Sequence, residues 1–317
     1  MTADRDDAVS SREGAHHQSS LETILDGCSY QYYLGNVLGV PQPPKPHSVV
    51  GTSFHAAVEL HEQARIDGTP LPTQRDMVDY AVNLIEAEVD DIPDVMMVGK
   101  KGEKWTKDTL ADMASAATEN WFSAKLKDGG VPHREWLLEL EPVAIEPYFR
   151  LDLVDGALPV GGWIDGVYKR TTGEFLVVDQ KTAGDFSRWP ADASGHRYQA
   201  TMYTVAVLLS DDFPEIDKYD IEMHYLVSRT RVGNVERARR VSLKPDFNDV
   251  ANLGDRVRQA ERIMAMQDYA PNPAWNLCSA RFCPFYKGCQ VTGELRHTPP
   301  LFIQKYRPEQ NTVHSTV

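Results

Sequence analysis

The stretch GGWIDGVYKRTTGEFLVVDQKTAG, residues 161–184, constrains this chain more than any other. Phe175, Leu176, Val177 and Val178 form an unbroken apolar run, the pattern of a strand buried on both faces and therefore central in its sheet. The segment before it returns through Thr171, Thr172 and Gly173, which predict a three-residue hairpin loop with Gly173 in the left-handed conformation. In that register Asp165 faces Asp179, and Lys181, two residues further on, shares their side of the sheet.

Opposed Cβ atoms lie about 4.5–5.5 Å apart, so two carboxylates there repel unless one is protonated or a cation sits between them. Mg2+ or Mn2+ suits hard carboxylate oxygens; it polarises a phosphoryl oxygen and lowers the pKa of a bound water. Lys181 is then placed to orient or activate that water and to stabilise developing charge. The plain alternative is three solvated side chains on the open face of an antiparallel sheet, against which the apolar flank of Asp179 argues.

Around the hairpin the chain changes character several times. Residues 1–19 lack apolar periodicity and read as a mobile tail. Ser19 and Ser20 then serve as candidate N-caps, and Leu21, Ile24, Leu25, Cys28 and Tyr32 recur at helical spacing, which turns Cys28 inward. PQPPKPH breaks the chain, and a helix restarts in GTSFHAAVELHEQARIDG with Thr52 or Ser53 as cap. Helical spacing with an acidic face continues through 72–128, within an expected helical insertion over 56–136. From about 137 short β-rich runs take over, followed by the amphipathic helix HRYQATMYTVAVLLS, two further strand-like runs and a long helix over 245–267. The order predicts one α/β domain over 20–295, a mixed sheet of roughly five strands flanked by helices, with a tail over 296–317.

The net charge of −13 looks wrong for a nucleic-acid partner, yet the first 150 residues hold 25 acids and 13 bases while the remainder holds 21 and 20. A near-neutral half can still present a basic groove. Arg229, Arg231, Arg237, Arg239 and Arg240 form the densest basic stretch, a phosphate track or a solvated turn. No apolar run approaches the roughly 18 residues of a membrane span, and the polar start of the chain is unlike a signal peptide, so the expected location is cytosolic.

In a reducing cytosol, cysteines are metal ligands or buried thiols rather than disulfides. Cys278, Cys283 and Cys289 lack the paired knuckles of a zinc ribbon and need a fourth ligand. If Cys28 supplies it, the site closes a loop of about 250 residues at an entropy cost on the order of 5 kcal/mol, which strong ligand bonds would offset. Buried thiols, a zinc site and an iron-sulfur cluster all remain open on this ground.

The strings GGWIDG and VVDQKTAG resemble the PD-(D/E)XK nuclease superfamily, and in particular its RecB-like branch, with Ile164 where the superfamily has a nominal proline. The resemblance implies a restriction-endonuclease-like core in which Asp165, Asp179, His55 and the backbone carbonyl of Gln180 hold Mg2+ or Mn2+, and Lys181 assists water attack. Gly51 to His55 matches the branch's G-x-x-x-H before its helical insertion, with Glu59 one turn on; an imidazole ligand favours Mn2+ somewhat. Gln199 and Tyr203, four apart on one helical face, match its Gln-x-x-x-Tyr and would position the DNA strand. One cysteine before the core and three after it resemble AddB-type and CRISPR-associated family-four exonucleases, implying a 4Fe-4S cluster on Cys28, Cys278, Cys283 and Cys289, with zinc as the rival.

The expected activity is therefore a DNA exonuclease acting on single-stranded ends, 5′ to 3′ by family, in recombination, repair or phage DNA processing, with a helicase or recombination protein as partner. Two readings compete: a non-catalytic cluster-bearing DNA-binding or scaffold module, and a restriction-type endonuclease. The intact Asp165, Asp179 and Lys181 argue against the first.

Overall fold

The computed structural model describes residues 14–99, 102–190, 193–213, 221–233 and 236–289, so the expected tail over 296–317 lies outside the described residues. After two short helical turns, Gln18–Glu22 and Ser29–Tyr32, come α1 (Pro46–Asp67), α2 (Gln74–Glu88), α3 (Lys107–Ser123) and α4 (His133–Leu138). The sheet strands follow: β1 (Glu141–Ile145), β2 (Tyr148–Leu151), β3 (Val160–Trp163), β4 (Gly166–Lys169) and β5 (Phe175–Ala183). Then come α5 (Arg197–Leu209), β6 (Glu222–Arg229), β7 (Ala238–Leu243) and α6 (Phe247–Met266).

The main sheet has the order β1-β4-β5-β6-β7, so β5 is the middle strand, as its apolar run requires. It pairs antiparallel with β4 and parallel with β6, which makes the sheet mixed; α5 lies in the crossover that a parallel pair needs. Leu176 and Val178 point into a core built with Phe54, Met77 and Trp121 from α1 to α3, while Val177, Tyr225 and Val227 point the other way, into the core shared with α5 and α6. Each such fully buried aliphatic side chain contributes roughly 1.5–3 kcal/mol. The alternation along β5 continues past the apolar run, so Asp179 and Lys181 face α5 and Gln180 faces α3.

Of the tail expected over 1–19, residues 1–13 lie outside the described residues, and the rest departs from the sequence-based expectation. Residues 14–19 are held rather than mobile: His16 is fully buried, bridges Val160 in parallel, and donates through Nε2 to Glu261 Oε1 at 2.8 Å. A buried histidine paired through one ring nitrogen with a distant carboxylate leaves no periodic signature. Neither Ser19 nor Ser20 is the cap residue; His17 is, with its N–H donating to Ser20 Oγ at 2.9 Å. Cys28 interrupts the expected helix in an extended conformation between the two helical turns. Further on, α1 starts before Thr52 and Ser53 because Pro46, which breaks a preceding helix, fits a first helical turn where its missing N–H costs nothing. Ser53 instead lies inside that helix, donating to Val49 O at 2.9 Å.

Two runs that read as single strands are each broken. β1 and β2 are separated at Glu146 and Pro147, β3 and β4 at Ile164 and Asp165, and β2 pairs with β3 in a separate two-stranded ribbon. The two corners interlock: Glu146 N donates to Asp165 O at 3.3 Å, and Ile164 N to Pro147 O at 3.1 Å. Glu146 carries a positive φ of 51°, a strained conformation for a residue with a side chain.

Candidate active site

The hairpin loop forms as its residues predict. Arg170 N donates to Glu174 O at 2.8 Å around Thr171, Thr172 and Gly173, and Gly173 takes a positive φ of 102°. The resulting register pairs Gly166 with Val178 and Val167 with Val177, which brings Asp165, at the corner just before β4, beside Asp179.

From there each polar group is held by a different element. Asp165 Oδ2 accepts from the Gln180 backbone N–H at 2.6 Å and lies 3.2 Å from His55 Nδ1 on α1. Asp179 is fully buried; its Oδ1 accepts from Gln199 Nε2 at 3.0 Å, and its Oδ2 lies against the Lys181 ammonium. Gln199 Nε2 also donates to Tyr203 OH at 3.1 Å, so the two residues four apart on α5 act on one point of β5. On the opposite face, Trp121 Nε1 donates to Gln180 Oε1 at 3.1 Å inside the core, anchoring the residue whose peptide lies between the two acids.

The electrostatics follow from burying this many charges together. Burial pushes the Asp179 carboxyl up to about 6 despite the Lys181 ammonium, and raises that of Asp165 as well. Burial alone would lower Lys181, but Asp179 and Asp165 outweigh it and hold its ammonium above the usual lysine range. Burial and the Lys181 charge hold His55 down to about 4, so its imidazole is neutral and available as a donor near neutral pH. Burial, with Asp179 and Asp165 nearby, keeps the Tyr203 phenol protonated.

These groups fit a divalent cation. The donor atoms of His55, Glu146 and Asp165 all lie within 4.8 Å of one another, and among the described residues they are the one set of three such side chains that does. Glu146 is the residue that sequence reasoning missed, because it reaches the site only through the meeting of two strand corners. The Glu-Pro pair marks the break, but nothing local marks the destination. Asp179 stands outside that compact set, its oxygens engaged by Gln199 and Lys181. Glu59 contributes negative charge at both His55 and Asp165.

The basic stretch serves mainly the fold. Arg239 binds the Glu236 carboxylate and the carbonyl of Trp189 at 2.7 Å, Arg229 donates to Gly184 O and Glu236 O, and Arg240 lies 4.4 Å over the Trp136 ring. Arg231 lines an open cleft beside Trp105 and Thr230.

A second site forms where the segment around Cys28 meets residues 271–289. Cys28, Cys278, Cys283 and Cys289 line one cavity, all as free thiols, although no three of their sulfurs lie within 4.8 Å of one another. Leu34, Val40 and Phe285 form a small core beneath it, Tyr33 stacks on Tyr269 at 4.8 Å, and Asn272 Nδ2 donates to Gly27 O at 2.9 Å. Burial and the neighbouring cysteines together raise Cys283 to about 11.

Comparison with known proteins places this geometry. The model of the PD-(D/E)XK nuclease superfamily matches residues 18–290, most of the chain. No curated protein matches. Among solved structures, a Eubacterium rectale protein described as "Putative exonuclease" is similar at 9% identity and a TM-score of 0.48, covering 85% of this chain and 88% of that one. The protein SSO0001 is similar at 14% identity and a TM-score of 0.32, covering 50% of this chain and 66% of its own.

Proposed function

The chain belongs to the PD-(D/E)XK nuclease superfamily, and from that membership we propose that it is a metal-dependent exonuclease hydrolysing phosphodiester bonds at the ends of single-stranded DNA. The observation that carries the reading is the convergence of Asp165, Asp179 and Lys181 at one point, with His55 from α1 against Asp165 and Gln199 from α5 against Asp179. His55, Glu146, Asp165 and Asp179 with the Gln180 carbonyl would hold Mg2+ or Mn2+. When bound, the ion supplies Lewis-acid polarisation of the scissile phosphate and a water acidic enough to ionise near neutral pH.

The remaining work falls to the protein's own groups. Lys181 presents an ammonium held charged by Asp179, placed to donate to the attacking water or to the phosphoryl oxygen that gains charge. Gln199 fixes the Asp179 carboxylate while Tyr203, its phenol protonated, offers a donor to the backbone of the strand. Trp121, through Gln180, holds rigid the peptide between the two acids. This division of labour suits hydrolysis, in which positioning and charge stabilisation do most of the work.

The four cysteines we read as the ligands of an iron-sulfur cluster of the kind carried by RecB/AddB-like exonucleases. In favour, all four line one cavity. Their sulfurs are also spread more widely than a tetrahedral zinc site asks, where Zn–S bonds of about 2.3 Å put sulfurs about 3.8 Å apart. The cluster would tie the segment around Cys28 to that over 278–289 beside the nuclease core.

The deciding experiment incubates end-labelled single strands with protein and Mn2+. Stepwise shortening by the wild type, lost by about a hundredfold or more in Lys181→Ala, is expected; equal cleavage by the variant would sink the catalytic reading, and cutting of closed circular DNA would replace exonuclease by endonuclease.

A further inference from the structure

The carboxyl ends of the parallel strands β5 and β6 open into a cleft of about 440 Å³. Its floor begins at Thr182, the residue after Lys181, and includes Thr230 beyond β6. His47 and Val50 from the first turns of α1 line it, together with Leu277, Arg281 and Phe282 from the cysteine-bearing segment. The carboxyl ends of parallel strands are where open α/β sheets place ligands.

The chemistry of this wall is specific. Arg281 lies 4.6 Å over the Phe282 ring and 5.4 Å from that of Trp105, a guanidinium between two aromatic faces. Elsewhere in the lining Trp189, itself buried, stacks on His196 at 3.9 Å with 8° between their planes, and Arg188 and Asp185 are exposed. Aromatic faces alternating with guanidinium groups are what splayed bases and a phosphate backbone bind, whereas a regular duplex buries its base faces. Arg281 and Phe282 lie between Cys278 and Cys283, so the segment that carries the thiols also carries this wall.

We propose that this cleft is the track by which a single DNA strand reaches Lys181, with Arg281 contacting phosphate and Phe282 stacking on a base. The inference rests on the nuclease reading for the identity of the strand, but it concerns binding alone.

The test is binding of a labelled oligonucleotide to the full chain in metal-free buffer, where no cleavage occurs, across a series of salt concentrations. Arg281→Ala is expected to weaken single-strand binding about tenfold at low salt and to reduce the slope of log affinity against log salt by about 0.7, the signature of one lost phosphate contact. Phe282→Ala is expected to lose a similar affinity with the slope unchanged, and Arg281→Lys to recover the slope but not the affinity. Visible absorbance and melting temperature, unchanged in each variant, separate loss of contact from loss of fold; a variant that melts early is replaced by the Arg281→Lys comparison. Wild-type slope and affinity in both alanine variants, or tight binding of duplex in preference to single strand, overturn the track. A wild type that binds strands through Arg281 yet never cleaves them leaves the track standing and sinks the nuclease reading instead.

Discussion

Gln199 donates to Asp179 Oδ1 at 3.0 Å, so a neutral amide from α5 fixes the orientation of a fully buried carboxylate on β5. A donor to the charged form favours ionisation. Gln199→Ala should therefore raise the pKa of Asp179 further, and the acidic limb of the cleavage pH profile should move to higher pH while maximal activity falls by about tenfold or more. A profile that drops uniformly without shifting would show that Gln199 touches only the strand.

Burial holds Asp179 at about 6 in the metal-free protein, above the usual carboxylate range. The folded state then binds this proton more readily than the unfolded chain, so the stability it contributes is full below the unfolded pKa of roughly 4 and is lost as pH rises through about 6. A divalent cation competes with that proton. The rise in melting temperature caused by saturating Mn2+ should be larger at about pH 7.5 than at about pH 5, with His55 adding little because it is already neutral over that range. An equal rise at both values would remove Asp179 from the metal's coordination.

Glu146 reaches toward His55 and Asp165 from a strained backbone position. With Asp165 and Asp179, Glu146 offers the ion one of three charged oxygen ligands, and the glutamine amide would replace it only with a neutral one. Calorimetric titration of Glu146→Gln with Mn2+ should show affinity reduced about tenfold to a hundredfold, by analogy with the loss of groups that support metal ligands. Unchanged affinity would make the strained corner a purely structural feature.

Trp121 is fully buried and spends its indole N–H on Gln180. Trp121→Phe keeps most of the apolar volume but leaves the amide oxygen without that donor, at a cost of about 1–3 kcal/mol. Urea denaturation should show this loss, and cleavage should fall with it because the Gln180 peptide lies between Asp165 and Asp179. Full activity with lowered stability would separate the anchor from the site.

Cys28 sits against the C-terminal segment, with Asn272 N donating to its sulfur at 3.4 Å. Absorbance near 400 nm, the region expected for iron-sulfur proteins, should be present in anaerobically purified wild type and absent from Cys28→Ala. A colourless wild type that releases zinc on acid treatment would replace the cluster by a zinc site.

The hairpin was legible because its register depends on local quantities: a three-residue loop, a glycine free to take positive φ, and side chains that alternate with period two. Helical spacing, also local, puts Gln199 and Tyr203 on one face, but only the resemblance to the nuclease family marked the pair out. Glu146 and His16 were not legible. Glu146 meets Asp165 only where two strand breaks interlock, and His16 is satisfied by Glu261, far along the chain. The start of α1 was misplaced because proline at 46 is compatible with both a break and a first turn, and only packing decides between them.

The cavity lined by Cys28 and by Cys278, Cys283 and Cys289 also sets an order in time. During synthesis at about 5–20 residues per second, the first thiol waits tens of seconds for its partners to emerge. Arg281 and Phe282, which lie between Cys278 and Cys283, emerge with them. Asp165, Asp179 and Lys181 emerge about 100 residues before Arg281, so under the proposed reading the acids can come together before the wall proposed to deliver a strand to them exists.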